Sequence, residues 1–218
     1  MISVPFILIV LIGYLLGAIP SGVIVGKLTR GIDVRNYGSG SMGSTNVLRI
    51  VGKKEGLVVL LADVLKGVAA VALAWPIFHL FNAAPDMVVW GRMAGGTAAV
   101  IGHSWPVYVG FRGGRSINVA FGAIMMMSWY TGLILVPVFF ISVAVTRYIS
   151  LSSIITALAL IIATIPFVIW GEGRFDEPFA YLAFALVAVP IVIFRHRGNI
   201  KRLISKTEPK IGKKAKKS

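Results

Sequence analysis

The chain of 218 residues has no cysteine, which excludes disulfides, a thiolate nucleophile and cysteine metal sites. Charge is scarce: 14% of residues are Asp, Glu, Lys or Arg, against about a quarter in an ordinary soluble domain. Acidic residues are fewest, 8 against 22 Lys and Arg. No GxSxG nucleophile elbow and no GxxxxGK[ST] phosphate loop occurs. The three histidines, His79, His103 and His196, are far apart, so ligand-spaced zinc binding is not expected. None of them has an Asp five positions on, as a His-x4-Asp acyltransferase needs. Any reaction here should not need a protein nucleophile or a metal.

What the chain has in abundance is apolar sequence: 57% hydrophobic residues and a mean hydropathy of +0.86. Continuous apolar segments at about 3–26, 56–80, 87–110, 116–146, 153–170 and 178–194 predict an all-α integral membrane protein. The first has neither the basic start nor the cleavage site of a signal peptide and reads as a retained span. The net charge of +14 is compatible with anionic lipids or anionic substrates. On this apolar background nucleic acid is the least expected partner.

Segment 116–146 is too long for one span and short for two. Read as one helix, it gives six spans and puts either the basic loop 27–55 or the basic tail 195–218 outside, against the positive-inside rule. Read as a hairpin turning near Trp129, Tyr130 and Gly132, it gives seven spans, N-terminus outside and C-terminus cytoplasmic. All basic residues but Arg92 and Arg174 then fall on the inner half, while Asp86, Glu172, Asp176 and Glu177 lie outside. There is no internal repeat. Residues 1–218 form one membrane-embedded domain, with a basic cytoplasmic tail from about 203 to 218.

Three inner segments carry the chemistry. Asn36 to Asn46 contains Gly38, Gly40 and Gly43 among Ser39, Ser41, Ser44 and Thr45, followed by Arg49. Glycine lets backbone N–H groups form a concave anion site, and arginine grips phosphate with two donors. An ordinary interhelical loop has a similar composition. In the second segment, Arg112 and Arg115 flank Gly113 and Gly114 ahead of an apolar helix, whose N-terminus attracts anions; a positive-inside anchor would look alike. The third runs from Arg195 to Arg202. Its Lys201 and Arg202, and the lysines from Lys206 on, read as contacts to anionic lipid head groups. His196 and Asn199, three apart, would share one face of a continuing helix and donate to a phosphate or a reacting carbonyl. Within the second span, Asp63 and Lys66 sit one turn apart, poised to pair with each other or steady the first loop. Segment 147–152, with Ser150, adds hydroxyls at the inner surface.

The order GSGSMGSTNVLR, GHSWPVYVGFRGGR, RHRGNIKRL, with DVLKG at Asp63, resembles the bacterial acyl-phosphate:glycerol-3-phosphate acyltransferase family (PlsY) along nearly the whole chain. The resemblance implies seven helices in the bacterial cell membrane and an active site facing the cytoplasm. It implies transfer of a fatty acyl group from acyl phosphate to the 1-hydroxyl of glycerol 3-phosphate, giving lysophosphatidic acid without metal or cofactor. It marks Ser39, Thr45, Asn46, Arg49, Arg115, Ser150, His196 and Asn199 as site residues. Of these, Ser39, Asn46, His196 and Asn199 are expected to act on the reacting groups. Arg49, Arg115, Thr45 and Ser150, with Gly113 and Gly114, are expected to hold phosphate. No carboxylate is expected near the reaction. The sequence departs from the family pattern at Ser41, at Ser44 (usually Ala) and through Arg112 to Val119, where the pattern reads Lys-Gly-Gly-Lys-Gly-Val-Ala-Thr. Ser116 in place of the third glycine is expected to hinder backbone approach to a phosphate. The alternative is a divergent relative that binds a lipid phosphate with altered or no transfer activity.

Overall fold

A computed structural model of the chain describes residues 3–170 and 178–211. Glu172, Arg174, Asp176, Glu177 and the tail lysines from Lys213 on lie outside the described residues. Among those described, all regular structure is helical: α1 (Ser3–Ala18), α2 (Ser21–Arg30), α3 (Ser44–Ile50), α4 (Lys53–Ala72), α5 (Ala74–Leu80), α6 (Pro85–Ser104), α7 (Ile117–Met127), α8 (Trp129–Thr146), α9 (Ile149–Trp170), α10 (Pro178–Arg195) and α11 (Arg197–Ile204).

Four stretches are long and apolar enough to cross a membrane: Ser3–Arg30, Lys53–Leu80, Trp129–Thr146 and Ile149–Pro166. A fifth arises if α10 and α11, bent by 56°, count together. The segments expected at 3–26, 56–80 and 153–170 and the later half of 116–146 recur among these with altered bounds, while 87–110 forms a helix that is not among them. The first is broken at Pro20, which cannot donate to the helix ladder. The third stops as a helix at Ser104. The anomalous segment is two helices that meet at Ser128, whose extended backbone ends α7 just before the expected turn at Trp129 and Tyr130. At about 1.5 Å per residue, the 11-residue α7 is too short to span the bilayer alone.

Lipid supplies no hydrophobic drive between helices, so close packing has to bind them. Glycine provides the room. Gly13 on α1 faces the backbone of Gly95 on α6, and Gly67 on α4 and Gly122 on α7 lie against each other's helix backbones. A Cβ at any of these positions would overlap main-chain atoms. The main core gathers residues of α4, α6, α7, α8, α9 and α10 around Val100, Val119, Ile124 and Phe184. A second core lies beneath the first glycine-rich loop, where Val34, Met42, Val47 and Val59 are fully buried. That loop is thus a folded unit, not a slack connection.

Candidate active site

The three segments, far apart in sequence, converge at one end of the bundle. They surround an apolar cavity of about 500 Å³ whose mouth is polar. Ser44, Thr45, Asn46, Arg49, Arg115, Ser150 and His196 line it. The apolar part of the wall includes Leu60, Phe121, Leu135, Phe139, Leu160 and Val189. A smaller polar crevice of about 210 Å³ adjoins it, lined by Ser39, Gly40, Ser41, Arg115, Arg195, Arg197, Gly198, Asn199 and Arg202. Ser41 and Arg115 belong to both spaces.

Asn46 holds the first loop in shape. Its Nδ2 donates to the carbonyls of Val34 (2.9 Å), Tyr37 (3.2 Å) and Ser41 (2.8 Å), and its Oδ1 accepts the Ser39 N–H at 3.0 Å. A buried amide is stable only with its groups paired in this way. Gly38 and Gly40 take left-handed backbone at φ 60° and 68°, as the tight turn requires. Arg35, which the motif analysis passed over, ties this loop to the second: it pairs with Asp33 at 2.7 Å and donates to Val109 O at 2.7 Å.

Arg49 and Arg115 make no side-chain hydrogen bond among the described residues. Burial lowers both from the ordinary arginine value, with Glu208 partly offsetting it and Arg202 adding to it. Arg115 falls to about 10 and stays charged at neutral pH. Two half-buried or buried cations facing an open space form an anion site.

Ser116 corrects the expectation drawn from its sequence. It adopts left-handed backbone at φ 61°, and its hydroxyl turns into α6, donating to Val100 O at 2.9 Å and meeting Ser104 Oγ at 2.6 Å. The side chain is thereby held by α6 and does not stand over the loop. Ser44 and Asn118, two further departures, meet each other: Asn118 Nδ2 donates to Ser44 Oγ at 3.0 Å. Gly113 and Gly114 press against His103, Ser104 and Pro106 so closely that a Cβ on either would overlap them.

His196 stands at the bend between α10 and α11, so it and Asn199 are not on one continuing helix as expected. Both are nevertheless buried, His196 at the wall of the cavity and Asn199 at the wall of the crevice. His196 Nδ1 lies 2.8 Å from Val192 O and donates to it, which leaves Nε2 of the neutral ring as an acceptor.

The sequence reasoning missed Glu208, and its expectation that no carboxylate stands at the site is overturned. Oε1 accepts from Ser150 Oγ and from Asn199 Nδ2, both at 2.7 Å, and Oε2 from Arg202 Nε at 2.7 Å. Arg202 is thus paired within the protein rather than free for lipid. Burial alone would raise the Glu208 carboxyl, but the bonds from Ser150, Asn199 and Arg202 outweigh it and hold it below the usual value. The available signal was its isolation: it is the one acid after Glu177 in an otherwise basic stretch.

Asp63, which also lines the cavity, pairs with Lys66 at 2.8 Å, as their spacing suggested. Ser21 Oγ donates to Asp63 at 2.5 Å, and Lys66 Nζ reaches Ile19 O at 3.0 Å and His103 Nδ1 at 2.7 Å. The pair steadies the α1–α2 break and the second loop rather than the first.

The family model described as Glycerol-3-phosphate acyltransferase matches residues 7–206. Curated relatives named glycerol-3-phosphate acyltransferase include one from Parasynechococcus marenigrum, 44% identical over 96% of this chain and 91% of its own, and one from a Nostoc species, 42% identical over 94% and 92%. A crystal structure of PlsY (YgiH), an integral membrane glycerol 3-phosphate acyltransferase in its glycerol 3-phosphate form, superposes with a TM-score of 0.80 at 33% identity, covering 95% of this chain and 96% of that one. With the match running through all three segments that build the cavity mouth, the chain belongs to the glycerol-3-phosphate acyltransferase family.

Proposed function

We propose that the protein transfers a fatty acyl group from acyl phosphate to the 1-hydroxyl of glycerol 3-phosphate, releasing lysophosphatidic acid and phosphate. One observation carries this: the guanidinium groups of Arg49 and Arg115, without a hydrogen bond among the described residues, line a largely apolar cavity. That combination suits an amphiphile with an anionic head. The acyl chain lies in the cavity. Glycerol 3-phosphate, which has no apolar part, occupies the polar crevice, and Arg115 reaches the phosphates of both substrates.

Acyl phosphate is a mixed anhydride and needs positioning more than activation. The hydroxyl oxygen bonds to the carbonyl carbon as the bond from that carbon to the phosphate oxygen breaks. The departing phosphate takes the hydroxyl proton. His196 Nε2 takes that proton from the attacking hydroxyl and passes it on to the departing phosphate. Ser39 and Thr45 donate to the phosphates, and the loop at Gly113 and Gly114 holds the phosphate of the acceptor. Asn46 acts through the loop it holds. Asn199 and Ser150 act with Glu208, which is pinned by three donors and ionised, and so serves as an organiser rather than a base. Anionic lipids surround the basic end.

The same reading places seven helices in the bacterial membrane, α7 as a short one joined to flanking chain for its crossing, N-terminus outside, with the site on the cytoplasmic face. The break at Ser128 and the gathering of basic residues at the site's end support it. The direct test is lysophosphatidic acid formation by the purified protein with acyl phosphate, and with acyl-CoA in parallel. Product from acyl phosphate alone is expected. A folded sample that binds glycerol 3-phosphate yet makes no product would overturn the reading.

A further inference from the structure

The second loop is held from two sides, by Arg195 of α10 at the wall of the crevice and by His103 of α6 at the wall of the cavity. From α10, Arg195 Nε donates to Gly114 O at 2.9 Å and Nη2 to Gly113 O at 2.8 Å. The guanidinium is itself seated over the Trp105 ring, 5.7 Å from its centroid. From α6, His103 O accepts the Gly114 N–H at 3.0 Å, and the His103 ring packs against the Gly114 Cα.

This two-sided hold has a directional consequence. All peptide bonds described are trans, so each carbonyl points opposite to the N–H that follows it. With the Gly114 carbonyl drawn onto Arg195, the Arg115 N–H points away from Arg195. That N–H has no acceptor among the described residues. Two consecutive carbonyl oxygens would otherwise be free to turn toward the bound anion and repel it. Arg195 neutralises both at once with a planar fork. A lysine, a single point of charge, cannot reproduce that geometry.

We propose that Arg195 is a positioning residue for the acceptor substrate: by capturing the Gly113 and Gly114 carbonyls it turns the Arg115 N–H toward the phosphate of glycerol 3-phosphate. The choice of ligand rests on the proposed acyl transfer. The simpler role for an arginine at this place, an electrostatic anchor to the membrane surface, needs only its charge.

The experiment uses the full chain in detergent. Binding of glycerol 3-phosphate is measured by calorimetry and turnover is measured with acyl phosphate as donor, for wild type, Arg195→Lys and Arg195→Gln. Both variants are expected to weaken glycerol 3-phosphate binding by about tenfold or more, the scale of a lost charge-assisted hydrogen bond. KM for glycerol 3-phosphate should rise in proportion, while KM for acyl phosphate stays within about twofold. Arg195→Lys binding within about twofold of wild type would show that charge alone suffices and would sink the proposal. Should both Arg195 variants misfold, Trp105→Leu leaves the fork but removes its seat. It should weaken glycerol 3-phosphate binding by about threefold, in line with a partly exposed cation–π contact, and no weakening counts against the proposal. Wild type that binds glycerol 3-phosphate without making product ends the acyl-transfer reading, while the affinity comparison still decides the role of Arg195. Wild type that does neither overturns both.

Discussion

Glu208 and Ser150 are 58 positions apart in sequence and 2.7 Å apart in space, an oxygen of one accepting the hydroxyl hydrogen of the other. The contact makes the chain beyond α11 part of the site. Ile211 N also donates to Arg147 O at 2.9 Å, so the segment is fastened at two points.

The first prediction follows from that carboxylate. Its folded-state pKa is held below the ordinary 4.5. The stabilisation it gives is therefore present at and above the unfolded value and is lost as pH falls through the lower folded value. Amide exchange around residues 205–211 should stay slow at pH 5 and above and quicken only in stronger acid. Glu208→Gln should show the fast exchange already at neutral pH.

Arg115→Ala should lower kcat/KM by about a hundredfold or more, since a buried charge-assisted phosphate contact is lost. Tm should not fall, because no described residue depends on that guanidinium for a hydrogen bond. Activity within threefold of wild type would remove Arg115 from the site.

Asp63→Asn leaves Lys66 buried without its counter-charge and should destabilise the protein by about 3–5 kcal/mol. Replacing both residues by leucine should cost less than this single change. Thermal unfolding in one detergent checks the order of the three proteins. A double variant less stable than Asp63→Asn would mean the pair contributes net stability.

Ala157, buried on α9, lines the cavity. Ala157→Phe should fill that space and shift the kcat/KM ratio toward shorter acyl phosphates by about tenfold, the order expected for a few excluded methylenes. An unchanged ratio across chain lengths would place the acyl chain elsewhere.

The chain has no cysteine, so single cysteines can report its orientation. A membrane-impermeant maleimide should label Asn82→Cys in intact cells. Thr29→Cys should react only after permeabilisation. The reverse pattern would invert the proposed topology.

The motif residues were legible in the sequence because glycine pairs, hydroxyls and arginines cluster within short windows. Convergence of Arg49, Arg115, Ser150 and His196 was legible only through their shared side of the membrane. Glu208 was hidden because its partners, Ser150 and Asn199, lie in other segments and nothing local marks it. The bend at His196 was equally hidden, since the residues around it suit a continuous helix. Ser116 was misjudged for a related reason. Its left-handed backbone looks costly by itself, and only the partners Val100 and Ser104, far back on α6, show where its hydroxyl goes. Local spacing thus revealed which residue types were present, while long-range contacts determined what each one does.

The cavity wall includes Leu57 and Phe140, both more than half exposed on the flank that faces lipid, whereas the adjoining crevice is walled by arginines. On the proposed reading the protein works at a phase boundary, drawing one reactant from the hydrocarbon and the other from water. Its velocity should follow the mole fraction of the acyl donor in the bilayer or micelle and the molarity of the acceptor in solution. Adding inert detergent at fixed total donor should slow it by two-dimensional dilution alone.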